Sequence, residues 1–533
     1  VSSNDAALAR HARLVQALLA GDAFAAPPSE RELIETHISS LILAGDIVYK
    51  LHKPLKLDFL DFSTPELRHA DCVEELRLNR RTAPQIYLDV LPLVGSADAP
   101  RIGTADDAAP ALDWVLRMRR FEQSALLDAM ARDGRLTEAH IDALAGRIAA
   151  FHAALAPAPP HYGAPEAVRR WALANLDALD AAATSPAQTA RIAALRHWTD
   201  RECARLAPSM RERQAQGFVR ECHGDLHLGN IALIDGVPTP FDAITFNAEL
   251  RHIDVASDVA FTFMDLLRHA RPALAWRFAS AWAERSGDYA GLALLRFYAV
   301  YRALVRARVA VLRAGQRGDA AFAAAGCDLA LAESIAESAA HPPRLVLACG
   351  VSGSGKSTVA RLLAQHAQAV RVRSDVERKR LFALAPEARP APESLAALYG
   401  PEATQRTYAQ LGALARGLLA AGISTVVDAA ALRRNERDAL RTLAASADAR
   451  FVLLECSAPE PVLRTRITRR LREEKDASDA DLAVLGLQLR VREPVAPDEA
   501  AVAFDTDTSL AELARRCAAL AGQWHTATTN ADA

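Results

Sequence analysis

The sequence predicts two domains, the first α+β and the second α/β with a parallel sheet covered by helices. Three observations carry that expectation. Residues 223–242, HGDLHLGNIALIDGVPTPFD, set two aspartates and an asparagine around a short hairpin. Residues 350–358, GVSGSGKST, form a glycine-rich loop between an apolar strand and a helix. Pro342-Pro343 separates the two, because proline cannot continue a helix.

Composition narrows the function classes. The chain has 533 residues, 51% apolar and 24% charged, enough to bury a sizeable core and unlike a fibrous or disordered sequence. The net charge is −2 and the part beyond residue 340 is only slightly basic. A nucleic-acid binder usually shows a strong basic footprint, so this balance disfavours such a partner. Seven cysteines without a CxxC pair predict reduced thiols and a cytoplasmic protein. Charges interrupt the apolar residues of positions 1–20, unlike a signal-peptide core. No run reaches the roughly 18 apolar residues that suggest a membrane span.

The first module is expected over residues 1–340. Positions 5–20 have helical periodicity, and Ser29 with Glu32 makes a capping-box pattern that predicts a second helix over SERELIETH. HISSLILAG, a turn at Gly45-Asp46 and DIVYKLHKP predict a hairpin carrying Lys50, with Lys53 and Lys56 beyond it. A helix over 66–81 follows and carries Glu74 and Glu75; the plain reading of Lys50 is a strand-end lysine reaching into solvent. WVLRMRRFE, residues 114–122, has the character of a connecting strand. Helices then run to Leu155, with His152 on an apolar face as a packed histidine, and 156–164 is a loop. Ile231 to Ile234 reads as a strand, Asp235-Gly236 as a tight turn and Val237 to Phe241 as the return, which brings Asn230 and Asp242 together. Asp254 and Asp258 read as helix-start and scaffold residues, and helices continue to about residue 340.

The residue types around that hairpin suit phosphoryl transfer. Moving the γ-phosphoryl of ATP needs a positioned acceptor and neutralised phosphate oxygens more than covalent chemistry. Asp225 can hold and deprotonate an acceptor hydroxyl. Asn230 and Asp242 offer the hard oxygens that Mg²⁺ prefers. Asp and Asn also cap turns and helices, which is the alternative use of each.

HGD, an Asn five residues after the Asp, and a later Asp resemble the catalytic segment of the aminoglycoside phosphotransferase and choline kinase branch of the protein-kinase-like fold. The resemblance implies that Asp225 is the catalytic base, that Asn230 and Asp242 hold metal, and that Lys50, held by Glu75, pairs with the nucleotide phosphates. With ETHISSLILAGDIVYKLHKP, FLDFSTPELR, EELRLNRRTAP and WVLRMRRF in this order, residues 30–270 resemble bacterial aminoglycoside-phosphotransferase-like proteins fused to a P-loop kinase. One departure stands out: no G-x-G-x-x-G precedes Lys50, so another hairpin must cover the phosphates or the lobe is cut down.

The second module is expected over 343–525. RLVLACG is an apolar strand that runs into a full G-x-x-x-x-G-K-S and then the helix TVARLLAQHA. In such a loop Gly350, Ser352, Gly353, Ser354, Gly355 and Thr358 wrap phosphates with backbone N–H groups, Lys356 reaches the outer phosphates and Ser357 binds Mg²⁺. AVRVRSDVERKRL, STVVDAA, FVLLECSAP and AVAFDTDTSL supply further strands in a βα rhythm. This region resembles small-molecule and polynucleotide P-loop kinases. By that resemblance Asp375 activates the acceptor hydroxyl, Arg378 binds the acceptor, and Asp428 lies near the metal or acceptor; helix capping and loop starts are the plain alternatives. Arg466, Arg469 and Arg470 share a helical face, and Arg466 and Arg470 are candidates for lid arginines that neutralise the moving phosphate. A solvated basic face is the other reading. The tail from about 526 is polar and expected to be loose.

These expectations amount to two ATP–Mg²⁺ phosphotransferase modules acting on small-molecule hydroxyls. A nucleotide-binding scaffold fused to a P-loop ATPase switch, or a polynucleotide 5′-kinase in the second module, fits the same motifs.

Overall fold

The structure, a computed structural model, describes residues 3–36, 38–57, 60–104, 110–317, 321–338, 342–390, 397–473 and 476–529. Contacts divide the chain into two compact units. One comprises Val1–Arg147, Phe151–Asp265 and Tyr301–Leu329; the other comprises Ile148–Ala150, Leu266–Val300 and Ala330–Ala533. This division does not coincide with the boundary expected near residue 340. The reason lies in Leu266–Val300, whose helix Pro272–Ser286 packs on the helix Lys356–His366 and the strand Val370–Arg373.

In the first unit a six-stranded antiparallel sheet runs in the order Arg31–Glu35, Ser39–Ala44, Ile47–His52, Asp113–Arg119, Tyr87–Gly95, Pro100–Ile102. Strand alternation decides what each face does. Tyr49 and Leu51 join Ile42, Leu93 and Val115 in a core against Leu14, Val15 and Leu18 of the helix Ser3–Ala20. Lys50, one step out of phase, points to the other face, where the helix Pro65–Asn79 packs.

The helix expected over SERELIETH is not there. A 3₁₀ turn, Pro28–Glu30, leads into the strand Arg31–Glu35, which pairs with Ser39–Ala44 in the register Leu33↔Ile42. Leu33 packs on the sheet core and Ile34 lines the cleft, so pairing with an existing edge outweighs the local capping signal. The same strand explains the missing glycine-rich loop. The reversal between Arg31–Glu35 and Ser39–Ala44 brings Ile34, Thr36, Ile38 and Ser39 to the cleft beside Lys50. His37, in that reversal, lies outside the described residues.

The second unit is a five-stranded parallel sheet in the order Val370–Arg373, Thr425–Asp428, Arg344–Cys349, Arg450–Ser457, Val502–Asp505. Leu345 to Cys349 and Thr425 to Asp428 are buried, as parallel strands covered on both faces require. The exposed edge of Val370–Arg373 is closed by Pro272–Ser286, whose Ser280 Oγ accepts a hydrogen bond from Arg371 N at 2.9 Å. The helix Leu510–Thr529 extends into the region expected to be a loose tail; residues 530–533 lie outside the described residues, as do 339–341, where the first helical region was expected to end. Among the described residues no helix is long and apolar enough to cross a membrane.

Candidate active sites

The first site opens as a cleft of about 520 Å³ lined by Lys50, Glu75, Asp225 and Asp242 among others. The hairpin forms as the sequence predicts. Ile231–Ile234 pairs with Val237–Pro240, and Asp235 and Gly236 both adopt positive φ, 50° and 76°, the twist a two-residue turn needs. Phe241 N then donates to Asn230 O at 2.9 Å, closing the two ends. Asp242 follows at φ 61°, a strained position for a non-glycine residue. It is held there because Asp242 N donates to Tyr87 Oη (3.0 Å) and Ala243 N donates to Asn79 Oδ1 (2.9 Å).

Lys50 Nζ lies 2.8 Å from Glu75 Oε1 and 3.0 Å from Asp242 Oδ1. Burial favours the neutral amine, but the carboxylates of Asp242 and Glu75 outweigh it and hold the ammonium well above its ordinary pKa. Glu74 turns outward to Arg77 and Arg251. Asn230 Nδ2 donates to Asp225 O (3.0 Å) and Asp225 Oδ2 (2.9 Å), which leaves its Oδ1 for another partner. Burial alone would raise Asp225; His227, whose Nε2 is 3.5 Å away, with His223 and Arg306, reverses this and keeps the carboxylate ionised.

Residues that sequence reasoning did not assign to the site hold it in place. Asp258 accepts from His223 N (3.0 Å) and Gly224 N (2.9 Å) and lies 3.2 Å from the buried His152. It therefore acts as the scaffold expected of it. Asp265 accepts from Leu228 N at 2.9 Å. His223 is pushed toward its neutral form by burial, and its Nε2 donates to Phe241 O at 2.9 Å. Among the described residues two clusters have metal-ligand spacing, His152–Cys222–Asp258 and His52–Asp71–Glu75. In both, carboxylates are already committed, Asp258 to backbone N–H groups and Glu75 to Lys50.

In the second unit the loop from Gly350 enters the helix Lys356–His366. Gly350 has φ 144°, and a Cβ there would sit 2.4 Å from Cys456 O; one at Gly355, φ 80°, would meet Thr506 Oγ1 at 2.9 Å. The cradle therefore needs glycine at both places. Asp428 closes its strand, with Asp375 one residue into the helix Ser374–Leu381.

Several assigned side chains have other duties. Arg378 is buried, donates to Leu398 O (3.0 Å) and Thr404 Oγ1 (3.3 Å), and lies over the Tyr399 ring, so it braces a helix instead of facing an acceptor. Arg466 donates to Gly353 O (3.2 Å) and Thr506 O (2.6 Å), tying the phosphate loop to the last strand. Arg470 donates to Ala480 O at 2.6 Å, and Arg469 points to solvent. Asp428 lies 3.6 Å from Arg373 Nε. The guanidinium that gathers the carboxylates is thus Arg373, which also meets Asp476 (3.4 Å) and Glu284 (3.4 Å). Burial disfavours its charge, but these neighbours raise its pKa further. Asp476, lowered overall by Arg373, Arg470 and Lys356 against the effect of burial, brings the segment after the arginine-rich helix back to the loop.

The donor sets fit the ligands the motifs imply. Ser354 Oγ and Asp428 Oδ2 are buried without a hydrogen-bond partner, and the glycines leave room for phosphate where a Cβ would stand. Asn230 and Asp242 supply the oxygen donors that Mg²⁺ takes.

The family described as AAA domain matches residues 345–495. The solved choline/ethanolamine kinase family protein from Mesorhizobium loti is 14% identical and covers 62% of this chain and 95% of its own, with a TM-score of 0.37. The gluconokinase from Sinorhizobium meliloti 1021 is 24% identical and covers 36% of this chain and 98% of its own, with a TM-score of 0.26. At such scores neither likeness says anything about substrate. In the first unit Lys50, Glu75 and Asp242 meet on the cleft that holds Asp225, and the second unit carries its phosphate loop within the matched domain, so the chain has the features of a kinase-type phosphotransferase. Uncharacterized protein Rv2004c of Mycobacterium tuberculosis (strain ATCC 25618 / H37Rv) is 33% identical over 454 residues, 85% of this chain and 88% of that protein, and the chain belongs to its family.

Proposed function

We propose that the chain is a bifunctional phosphotransferase using ATP and Mg²⁺, with functional modules over residues 1–340 and 343–525 that each act on a hydroxyl of a small molecule. The observation that carries this reading is the charged group Lys50–Glu75–Asp242 on the same cleft as Asp225. In the first module Asp225 orients the acceptor hydroxyl. As that oxygen bonds to the γ-phosphorus and the bond to the departing ADP oxygen breaks, the proton passes to Asp225. Its depressed pKa makes it a weak base, which suits a loose transition state in which the proton leaves late. Lys50 neutralises phosphate charge, and Glu75 keeps it extended toward the cleft. Magnesium, held by Asn230 and Asp242 in one module and by Ser357 with Asp428 in the other, would supply further neutralisation. In the second module Lys356 and the loop N–H groups hold the nucleotide, and Asp375 activates the acceptor, while Arg373 gathers Asp428, Asp476 and Glu284.

The test is ATP-dependent phosphorylation of a metabolite mixture by the intact chain. Asp225→Asn is expected to lower one set of products by ~10²–10⁴-fold, the range for a catalytic base, and Lys356→Ala to remove a different set. Products that fall together with either substitution would refute two independent sites. ATP hydrolysis that depends on Lys356 while no product depends on Asp375 would instead identify the second module as a switch.

A further inference from the structure

We propose that the first unit binds a divalent first-row transition metal, zinc foremost, through His52 Nε2, Asp71 Oδ2 and Glu75 Oε2, beside the Lys50–Glu75 pair. The inference goes beyond phosphoryl transfer and does not depend on it. Lys50 and His52 stand two residues apart on the strand Ile47–His52 and share a face of it. Asp71 and Glu75 stand four apart on the helix Pro65–Asn79 and share a face there. Strand and helix meet so that Lys50 reaches Glu75 and His52 reaches Asp71. His52 Nε2 lies 3.1 Å from Asp71 Oδ2 and 3.6 Å from Glu75 Oε2, and the three ligand atoms lie within 4.8 Å of one another. Ligand atoms ~2.1 Å from a tetrahedral zinc stand ~3.4 Å apart, so the first two spacings are those of a coordination shell.

Ion pairing alone does not account for the cluster. His52 Nε2 and Asp71 Oδ2 are buried without a hydrogen-bond partner, so at 3.1 Å the ring nitrogen and the carboxylate are close but not aligned as donor and acceptor. A metal takes the lone pairs of both and needs no such alignment. Glu75 spends only Oε1 on Lys50, at 2.8 Å, and its Oε2 faces His52. His52, Asp71 and Glu75 are 2%, 9% and 1% exposed, and Lys50 is shared with Asp242, so a divalent cation would balance buried negative charge. The imidazole is oriented in advance by Ser39 Oγ, 3.1 Å from Nδ1, and by the Phe62 ring, whose centroid is 4.5 Å away. With its proton on Nδ1 and donated to Ser39, the ring presents the Nε2 lone pair, the usual support of a metal-bound histidine. One imidazole with two carboxylates suits zinc, cobalt or manganese better than magnesium, which prefers oxygen ligands and keeps its waters. All three residues line the cleft, which leaves a fourth position open to it. The ion would hold Glu75 through Oε2 while Lys50 holds it through Oε1.

The experiment uses the intact chain, stripped with EDTA and titrated with Co²⁺ in excess Mg²⁺, which occupies sites made of oxygen donors alone. One equivalent of Co²⁺ is expected to bind, read by its visible absorption, and Zn²⁺ should displace it. His52→Gln and Asp71→Asn should each weaken uptake by more than the ~10–100-fold that losing an outer-shell partner costs, and Ser39→Ala, which removes such a partner, by about that range. Zn²⁺ should also raise the unfolding temperature of the wild-type chain but not that of Asp71→Asn. That shift and the Ser39→Ala titration decide the matter if His52→Gln does not fold. Absence of Co²⁺ uptake in excess Mg²⁺, or uptake that Asp71→Asn and Ser39→Ala leave unchanged, would overturn the proposal. Uptake lost with Cys222→Ser would place the ion in the His152 cluster and overturn it equally.

Discussion

The two sites solve the same electrostatic problem with different chain economy. In the P-loop unit nine consecutive residues form the phosphate cradle, whereas Lys50 meets an Asp242 that lies 192 positions away. A local loop forms from its own glycines, and the distant residues it depends on include Arg466 and the carboxylates that Arg373 gathers. The dispersed site also needs Tyr87 and Asn79 to hold Asp242 at its positive φ, and Asp258 to hold the His223 turn. Damage to the first site should therefore arrive from far away in sequence, and damage to the second mainly from within the loop.

Lys50→Met gives the largest expected effect on that contrast. It leaves Glu75 and Asp242 without their shared cation, and first-module transfer should fall ~10²-fold or more, since charged hydrogen bonds of roughly 1.5–3 kcal/mol each are lost. Second-module products should be unchanged in steady-state assays; a parallel fall in both would break the comparison.

Glu284→Ala makes an intermediate and less local change. Glu284 pairs with Arg371 (2.7 Å) and Arg373 (3.4 Å), so its loss frees the guanidinium that faces Asp428 and Asp476. Second-module turnover is expected to drop ~10-fold and the unit to lose ~1–3 kcal/mol in denaturant unfolding. Unchanged turnover would show that the loop is indeed self-sufficient.

Glu221→Gln should give the smallest effect, seen in pH dependence. Burial raises the Glu221 pKa, but Arg77, Arg251 and Arg81 bring it down to about 2. A group with a depressed folded pKa contributes stability that is fully present above its unfolded value of ~4.5 and is lost as pH falls toward 2. The variant should therefore be ~1–3 kcal/mol less stable at neutral pH and show a shallower loss between about pH 4.5 and 2 in acid titrations followed by circular dichroism.

What was legible followed from local rules. The Asp235-Gly236 turn, the glycine loop and the buried strands each depend on spacing within a short segment, whereas Glu75 was expected from the kinase resemblance. The misreadings have one cause. SERELIETH shows a helix-capping pattern, and only the neighbouring edge Ser39–Ala44 makes Arg31–Glu35 a strand. Arg378 and Arg466 have the spacing of acceptor and lid residues, yet long side chains reach whichever acceptor is nearest in space, here Leu398 O and Thr506 O. Glu284 precedes the expected domain boundary and carried no motif.

By itself the sequence determined the local form of the two motifs, each with its carboxylate, because they are built from turns and caps whose geometry is set within a few residues. Tertiary structure alone decided which cation gathers the acidic groups at the second site, which hairpin overlies the first, and that two arginines of the helix Leu295–Arg317 line its cleft. Those are matters of which elements pack together, and ion pairing acts through space irrespective of separation along the chain.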